Sequence, residues 1–358
     1  MNSTNHRACA HGHEIYIEDL VTSAYPSYIA SIVINLLSCV PTILINLLVI
    51  RAIICTPAIH TPSNILLCSL AFTDLVVGST VQPIYAFSRI AEVSKSFQLF
   101  CPTWLISRLL ASWMANVSLL TLTVVAIDRV LAMHLGIRYR TTVKVTRMIT
   151  VAVVLWAIAG FLSFIRLLTY EVRIFLGVGA AIYSSCLLVL SFSYWKTFLA
   201  LRRHRHRIED TLYSRSSGTF SMKRYKNSFY TMLYVVGLAL FCYLPYICLA
   251  LPVVFTGRSE AERAAWTIVD TLLFLNSLLN PILCCWRMRD IRRAVIASLR
   301  NYFPLCEVSA AWVCLGGHVR EMDTRYTKQE SALRTEPNKL EPKSRNTIEF
   351  KSRNTRNV

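Results

Sequence analysis

Apolar residues in this chain come in long runs rather than in narrow stripes. Seven stretches are nearly free of charge: Tyr28–Ile54, Ile65–Phe87, Leu99–Met133, Met148–Leu168, Ile174–Leu201, Phe229–Phe255 and Ala265–Trp286. At 1.5 Å of rise per residue, a helix of about 20 residues crosses the ~30 Å hydrocarbon core of a bilayer. A spanning segment must satisfy its own backbone, which a helix does. The pattern predicts an all-α membrane protein, a seven-transmembrane helix bundle over residues 28–286. Pro41, Pro83, Pro245, Pro252 and Pro281 fall within or near the ends of these spans, so kinked helices are expected.

The flanks carry different patterns. Residues 1–27 are polar, with no apolar core before a small-residue cleavage site, so the first span is expected to act as an uncleaved anchor. In residues 287–303, Met288, Ile291, Val295, Ile296 and Leu299 fall near one helical face and arginines on the other. That predicts a short amphipathic helix on the inner membrane surface. Residues 304–358 are mostly polar, repeat KSRNT at Lys343 and Lys351, and are expected to be a disordered cytoplasmic tail.

Composition agrees with the runs. The 358 residues are 54% hydrophobic and only 16% charged, which suits membrane proteins better than soluble ones. The net charge of +18 is unevenly placed. Arg51, Arg138, Arg140, Lys144 and Arg147, then the basic run from Arg202 to Lys226, lie on the side opposite the N-terminus, whereas residues 1–27 hold Glu14, Glu18 and Asp19. Lys and Arg concentrate on the cytoplasmic side, so the N-terminus is expected outside a plasma membrane. The basic loops then face anionic lipid, and no nucleic-acid partner is implied. Asn2 opens a glycosylation sequon on the outer side, and Cys306 is a candidate for palmitoylation.

Helical rise turns sequence position into depth. Asp74 lies ~15 Å from the inner end of the second span, near the bilayer midplane, and Ser118 sits at a similar height in the third. Asn46 in the first span and Asn276, Ser277 and Asn280 in the seventh fall at or just below that level. A lone carboxylate in hydrocarbon is costly, so Asp74 must hold its proton, pair with a cation or be ringed by hydrogen-bonding groups, and these residues offer the last two. Two readings stand: hard oxygen ligands for a sodium ion, or a neutral polar core that fixes helix packing.

These residues carry a resemblance. SLAFTD ending at Asp74, IDRV at Ile127–Val130, Trp156, FCYLP at Phe241–Pro245 and NPILC at Asn280–Cys284 resemble, in order and in span, the signature positions of rhodopsin-like (class A) G-protein-coupled receptors. The resemblance implies a receptor, not an enzyme. An extracellular ligand would bind in the outer half of the bundle and activate a heterotrimeric G protein at the inner end. Arrestin, receptor kinases and membrane lipid are further partners it implies. Asn46 matches the family's first-helix Asn, Asp74 its sodium-linked Asp and Arg129 its switch arginine; Pro245 and Pro281 match its helix kinks. By that resemblance Asp128 holds Arg129 folded back at rest, and Tyr243 and Asn280 belong to the same switch.

Departures from the family pattern are equally informative. Val130, Tyr243 and Cys284 replace the usual Tyr, Trp and Tyr, and no acid stands near Arg224, Tyr225 and Lys226 to restrain Arg129. The short outer loop near Thr169–Arg173 has no cysteine, and of twelve cysteines only Cys9 and Cys101 lie in outer segments, where they are either bonded or free thiols. The short loop and proline-free fifth span are similar to the melanocortin, lysolipid, cannabinoid and adenosine group. With no Lys in the seventh span, retinal has no attachment point, and Ala111 stands where amine receptors place an Asp. Arg108 and Asp270 in the outer half either pair with each other or address a polar ligand. Ser112, Trp113, Tyr243, Tyr246 and Phe274 would furnish the rest of a pocket.

Other classes fit less well. A transporter would need internal repeats or a path of charges, and an intramembrane metallohydrolase would need ligands within spans, whereas all eight histidines lie outside the membrane core. A receptor that binds ligand without G-protein coupling is the competing reading, because of Val130, Tyr243 and Cys284. With Arg129 lacking an acid across the sixth helix, ligand-free signalling above vector is expected in a cell reporter, and a signal at vector level would contradict it.

Overall fold

The computed structural model describes residues 7–9, 15–16, 18–165, 172–212, 219–256 and 262–302. The predicted tail 304–358, Asn2, Cys306 and the loop around Tyr170 lie outside the described residues, as do the side chains of Arg224, Tyr225 and Lys226. Seven helical spans are long and apolar enough to cross a membrane: Ala24–Cys55, Pro62–Val93, Phe97–Leu135, Val145–Phe164, Arg173–Ala200, Val236–Phe255 and Arg263–Trp286.

The helices are α1 (Glu18–Cys55), α2 (Pro62–Val76), α3 (Gln82–Val93), α4 (Phe97–Leu135), α5 (Tyr139–Thr142), α6 (Val145–Phe164), α7 (Val172–Leu212), α8 (Thr219–Thr256), α9 (Arg263–Arg287) and α10 (Arg289–Tyr302). Helices α2 and α3 make one crossing, joined by a π turn at Val77–Val81. The all-α expectation has one small exception among the described residues. Strands β1 (Arg7–Ala8) and β2 (Ile15–Tyr16) pair antiparallel, Arg7 opposite Tyr16.

Helix α4 runs through the bundle and packs against α2, α3, α6 and α7, while α9 packs on both α8 and α1 and so closes the ring. The usual arrangement of a soluble core is inverted. Leu37, Phe161, Leu188 and Phe255 are exposed on the outside, while Asn46, Thr42, Asp74 and Gln82 have no exposed surface. Lipid is as apolar as leucine, so burying leucine gains little there, whereas a polar atom gains by turning inward. Helix α6 is the most peripheral, burying only Ala159, Gly160 and Ser163.

Local chemistry sets the helix ends and bends. Thr61 caps α2 by accepting a hydrogen bond from the Asn64 backbone N–H at 3.3 Å, and Pro62 occupies the first turn, where its missing N–H costs nothing. Pro83 has no N–H to offer one turn back, and the π turn at Val77–Val81 sits immediately before it, where the helix accommodates an extra residue. Helices α7 and α8 run to Leu212 and from Thr219, beyond the apolar limits of Leu201 and Phe229. Hydropathy measures hydrocarbon thickness, whereas a helix continues as long as its backbone bonds do. Helix α10 buries Ile291, Ala294, Val295 and Ser298, an i, i+3, i+4, i+7 face, against α1 and α9.

Gly78 in the π turn permits the close approach of the first two crossings. A Cβ there would stand 2.9 Å from Thr42 Cγ2 and 3.0 Å from Thr42 Cβ. Gly78→Ala is therefore expected to cost about 1–3 kcal/mol of stability, as overpacking does. Adding Thr42→Ser, which deletes Cγ2 and keeps the hydroxyl, should restore part of it. Melting of the purified protein in detergent checks both, and an unchanged Gly78→Ala melting point would refute the close contact.

Candidate functional site

All six residues expected at mid-depth are buried: Asn46, Asp74, Ser118, Asn276, Ser277 and Asn280. Asn280 Nδ2 donates to Asp74 Oδ2 at 3.3 Å, tying α9 to α2. Asn46 Nδ2 donates to the Ser277 carbonyl at 3.1 Å and to the Thr42 carbonyl at 2.9 Å, tying α1 to α9. Around these bonds, Asn46 Oδ1, Asp74 Oδ1, Ser118 Oγ, Thr121 Oγ1 and Asn276 Oδ1 are buried without a hydrogen-bond partner. Buried polar atoms are ordinarily satisfied, and these five are all oxygens. A carboxylate with hydroxyl and amide oxygens is the donor set a small hard cation takes.

Toward the end of the bundle opposite the N-terminus, the structure corrects one expectation. No ion pair joins Asp128 and Arg129 among the described residues. Asp128 Oδ1 instead accepts from the Tyr139 hydroxyl at 2.6 Å, and Arg129 Nη2 donates to Ser63 Oγ of α2. Adjacent helical residues point about 100° apart, so neighbours in sequence are poorly placed to pair. Asp128 is buried under the short helix α5, while Arg129 reaches across to the second crossing.

Toward the N-terminal end lies a cavity of about 200 Å³. Its walls include Arg108, Ala111, Ser112, Tyr243, Tyr246, Asp270 and Phe274, every residue expected there except Trp113. Trp113 faces α6 instead: its Nε1 donates to the Trp156 carbonyl at 3.2 Å, and its ring lies against Gly160. One residue beyond Ser112 is about 100° round the helix, which turns Trp113 away from the cavity. Arg108 and Asp270 close on each other through two contacts of 2.7 Å, the first of the two arrangements open to them.

Tyr243 is buried at the cavity wall, its ring 5.4 Å from that of Tyr183. It stands well away from Arg129, at the level of Ala115, whose carbonyl accepts from its hydroxyl at 3.4 Å. Pro245 and Pro281 lie inside α8 and α9. Ser118, Asn276 and Ser277 line the cavity floor, so cavity and polar core are continuous.

Several site residues were not foreseen. Glu92 has no exposed surface. Its carboxylate accepts from Arg89 at 2.6 Å, Arg263 at 3.0 Å and the Tyr28 hydroxyl at 3.1 Å, linking α1, α3 and α9. The available signal was Arg89 and Glu92 at i, i+3, neighbours on one helix face. Deeper, Gln82 Nε2 donates to Ser38 Oγ at 2.8 Å, Asn35 Nδ2 to Thr271 Oγ1 at 3.3 Å, and the Ser31 and Thr271 hydroxyls bond at 2.6 Å. Nothing in sequence marks these as a group, because each is one polar residue in an apolar run. Trp104, Phe175, Tyr183 and Trp266 also line the cavity unforeseen.

Cys9 is bonded to Cys101, which ties the N-terminal segment to the start of α4. Cys9 packs with Tyr28, Phe100 and Trp104, and Trp104 is also a cavity wall. The unexpected strand pair flanks this bond.

The family described as 7 transmembrane receptor (rhodopsin family) matches this chain over residues 45–178 and 169–283. Among similar proteins, adenosine receptor A2b of Mus musculus is 24% identical over 298 residues, 73% of this chain and 87% of that receptor. The histamine H2 receptor of Canis lupus familiaris is 26% identical over 274 residues, 71% of this chain and 74% of that one. The 5-hydroxytryptamine receptor 1E of Homo sapiens is 34% identical over 122 residues, about a third of each chain.

Burial and the neighbouring Asp128 push the Tyr139 phenol above its ordinary range. A raised folded value means its contribution is complete below the ordinary phenol pKa of about 10 and is lost only above it. Tyr139→Phe would leave Asp128 buried without its donor, at a cost of about 1–3 kcal/mol. Thermal melts at neutral pH should show the loss, and a Tyr139→Phe protein as stable as the parent would mean that water replaces the phenol.

Proposed function

Because the chain belongs to the rhodopsin family of seven-transmembrane receptors, we propose that this multi-pass membrane protein is a G-protein-coupled receptor of the plasma membrane. Its N-terminus lies outside, an extracellular ligand occupies the 200 Å³ cavity, and a heterotrimeric G protein is activated at the opposite face. The continuity of the cavity with the polar core around Asp74 is the observation that carries this reading. A ligand pressing on the cavity floor acts directly on the residues that tie α1, α2 and α9 together.

The chain's own residues suggest how the signal would travel. Arg129 is held to α2 by one bond to Ser63. When the inner ends of the helices part, that bond breaks and the guanidinium turns into the opening. There it meets the C-terminal end of a partner helix, whose free carbonyls favour a cation. A ligand drives the change only by binding the open arrangement more tightly than the closed one. Arg138 and Arg147, shortly after Arg129 in the chain, would add positive charge on the same side of the membrane. The Ser and Thr residues of the tail would serve receptor kinases and arrestin, and α10 would rest on lipid.

Asp74, Ser118, Asn276 and Asn280 suit a sodium ion, which would supply a positive charge that favours the closed core. The relatives named for adenosine, histamine and 5-hydroxytryptamine point to a small ligand, and Ala111 argues against an ammonium group at that position.

Ligand-free G-protein activation provides the test. Arg129→Ala at matched surface expression should bring it down to vector level. Replacing sodium with choline should raise it in the parent and leave Asp74→Asn unmoved. Signalling that survives Arg129→Ala would sink the switch, and uniform silence across G-protein families would favour a receptor that binds without coupling.

A further inference from the structure

The cavity is lined by just two formally charged side chains among the described residues, and they cancel. Arg108 of α4 and Asp270 of α9 meet through two contacts of 2.7 Å, with 15% and 5% of their side-chain surfaces exposed. A ligand that breaks this pair must leave one member bare. An anion that captures Arg108 strands Asp270, and a cation that captures Asp270 strands Arg108. An uncompensated buried charge is strongly unfavourable, so each singly charged ligand carries a penalty that an uncharged one avoids.

The closed pair still has binding capacity. A guanidinium offers five N–H groups in a plane, and Asp270 engages two nitrogens on one edge. The guanidinium carbon lies over the Trp104 ring, 5.9 Å from its centroid. The remaining edge donors suit a neutral acceptor, a carbonyl oxygen or ring nitrogen. One wall is a run of aromatic rings, with Tyr243 5.4 Å from Tyr183, Tyr183 4.9 Å from Tyr246, and Tyr246 5.6 Å from Trp266. Such a wall suits a flat ring system. At about 200 Å³ the cavity is smaller than the ~300–1,000 Å³ of most small-molecule sites, so one fused ring with a short arm fits better than a long chain.

We propose that this cavity selects an uncharged, ring-bearing ligand whose acceptor atom meets the free edge of Arg108 while the Arg108–Asp270 pair stays closed, so that the pair filters out singly charged molecules. The proposal rests on the cavity being the ligand site.

Four probes on one scaffold test it: indole-3-acetamide, indole-3-acetate, tryptamine and tryptophan, which are neutral, anionic, cationic and zwitterionic. Binding is measured on the purified full chain in nanodiscs without a G protein, so a failure of coupling and a failure of selectivity are read separately. The parent should hold the amide at least about tenfold more tightly than the acetate or tryptamine, a difference of about 1.4 kcal/mol, and should not prefer tryptophan, which answers both charges only by opening the pair. Asp270→Asn frees Arg108 and should move the preference to the acetate. Arg108→Gln frees Asp270 and should move it to tryptamine. The double variant should return to the amide and recover the thermal stability that each single variant loses. If a single variant does not fold, Ala111→Asp serves instead, because it adds an unpaired carboxylate to the cavity wall and should favour tryptamine. A singly charged probe binding the parent as well as the amide does, tryptophan binding it more tightly than the amide, an unchanged order across the variants, or no binding to any of them would each overturn the proposal.

Discussion

A polar atom inside hydrocarbon has no water to turn to, so its partner must come from its own helix or from another one. That constraint organises this bundle. Asp74 has no exposed surface, and the Asn280 amide that reaches it belongs to a helix more than 200 residues away in sequence. Asn46 joins the same level through the Ser277 carbonyl. Leucines facing lipid fix no register, because one apolar neighbour serves as well as another. A carboxylate and two amides at matching depth do fix it, and the cavity above and Arg129 below take their heights from that level.

The bonding differs across the half of the bundle toward the N-terminus. Helices α1, α3 and α9 are stitched by Glu92 with its two arginines and by the chain of Ser31, Asn35, Gln82 and Thr271. Across the cavity, α7 meets α8 through the rings of Tyr183, Tyr243 and Tyr246 and through Leu176, Ala180, Ala250 and Val253. Hydrogen bonds and ion pairs are directional and break abruptly, whereas ring contacts tolerate sliding. The cavity therefore has one stiff wall and one more compliant one. The Cys9–Cys101 bond reinforces the stiff side, since it holds the N-terminal segment against Tyr28 and Trp104.

At the end of the bundle opposite the N-terminus, the partners differ from those the sequence suggests. The Asp-Arg pair invites a reading in which one charge restrains its neighbour. The structure gives Asp128 to Tyr139 and Arg129 to Ser63, so each is held by a different element. Separating Arg129 from its partner therefore requires movement between α4 and α2, not the loss of a pair within α4.

The chain's order of residues was enough to number the crossings, place Asp74, Asn46, Ser118 and Asn280 at one depth, and nominate Arg108, Ala111, Ser112, Tyr243, Tyr246, Asp270 and Phe274 as part of the cavity wall. Those properties follow from a fixed rise per residue and a fixed membrane thickness, both readable along a line. It also marked Cys9 and Cys101 as the two outer cysteines without deciding whether they bond. Which way a side chain turns is a different kind of quantity. Trp113 facing α6, Glu92 sealed between two arginines, Arg108 closing on Asp270 and Arg129 reaching Ser63 all depend on the rotation of each helix about its axis and on the neighbour it meets. Rotation is set by packing among helices distant in sequence, so only the tertiary structure decided it.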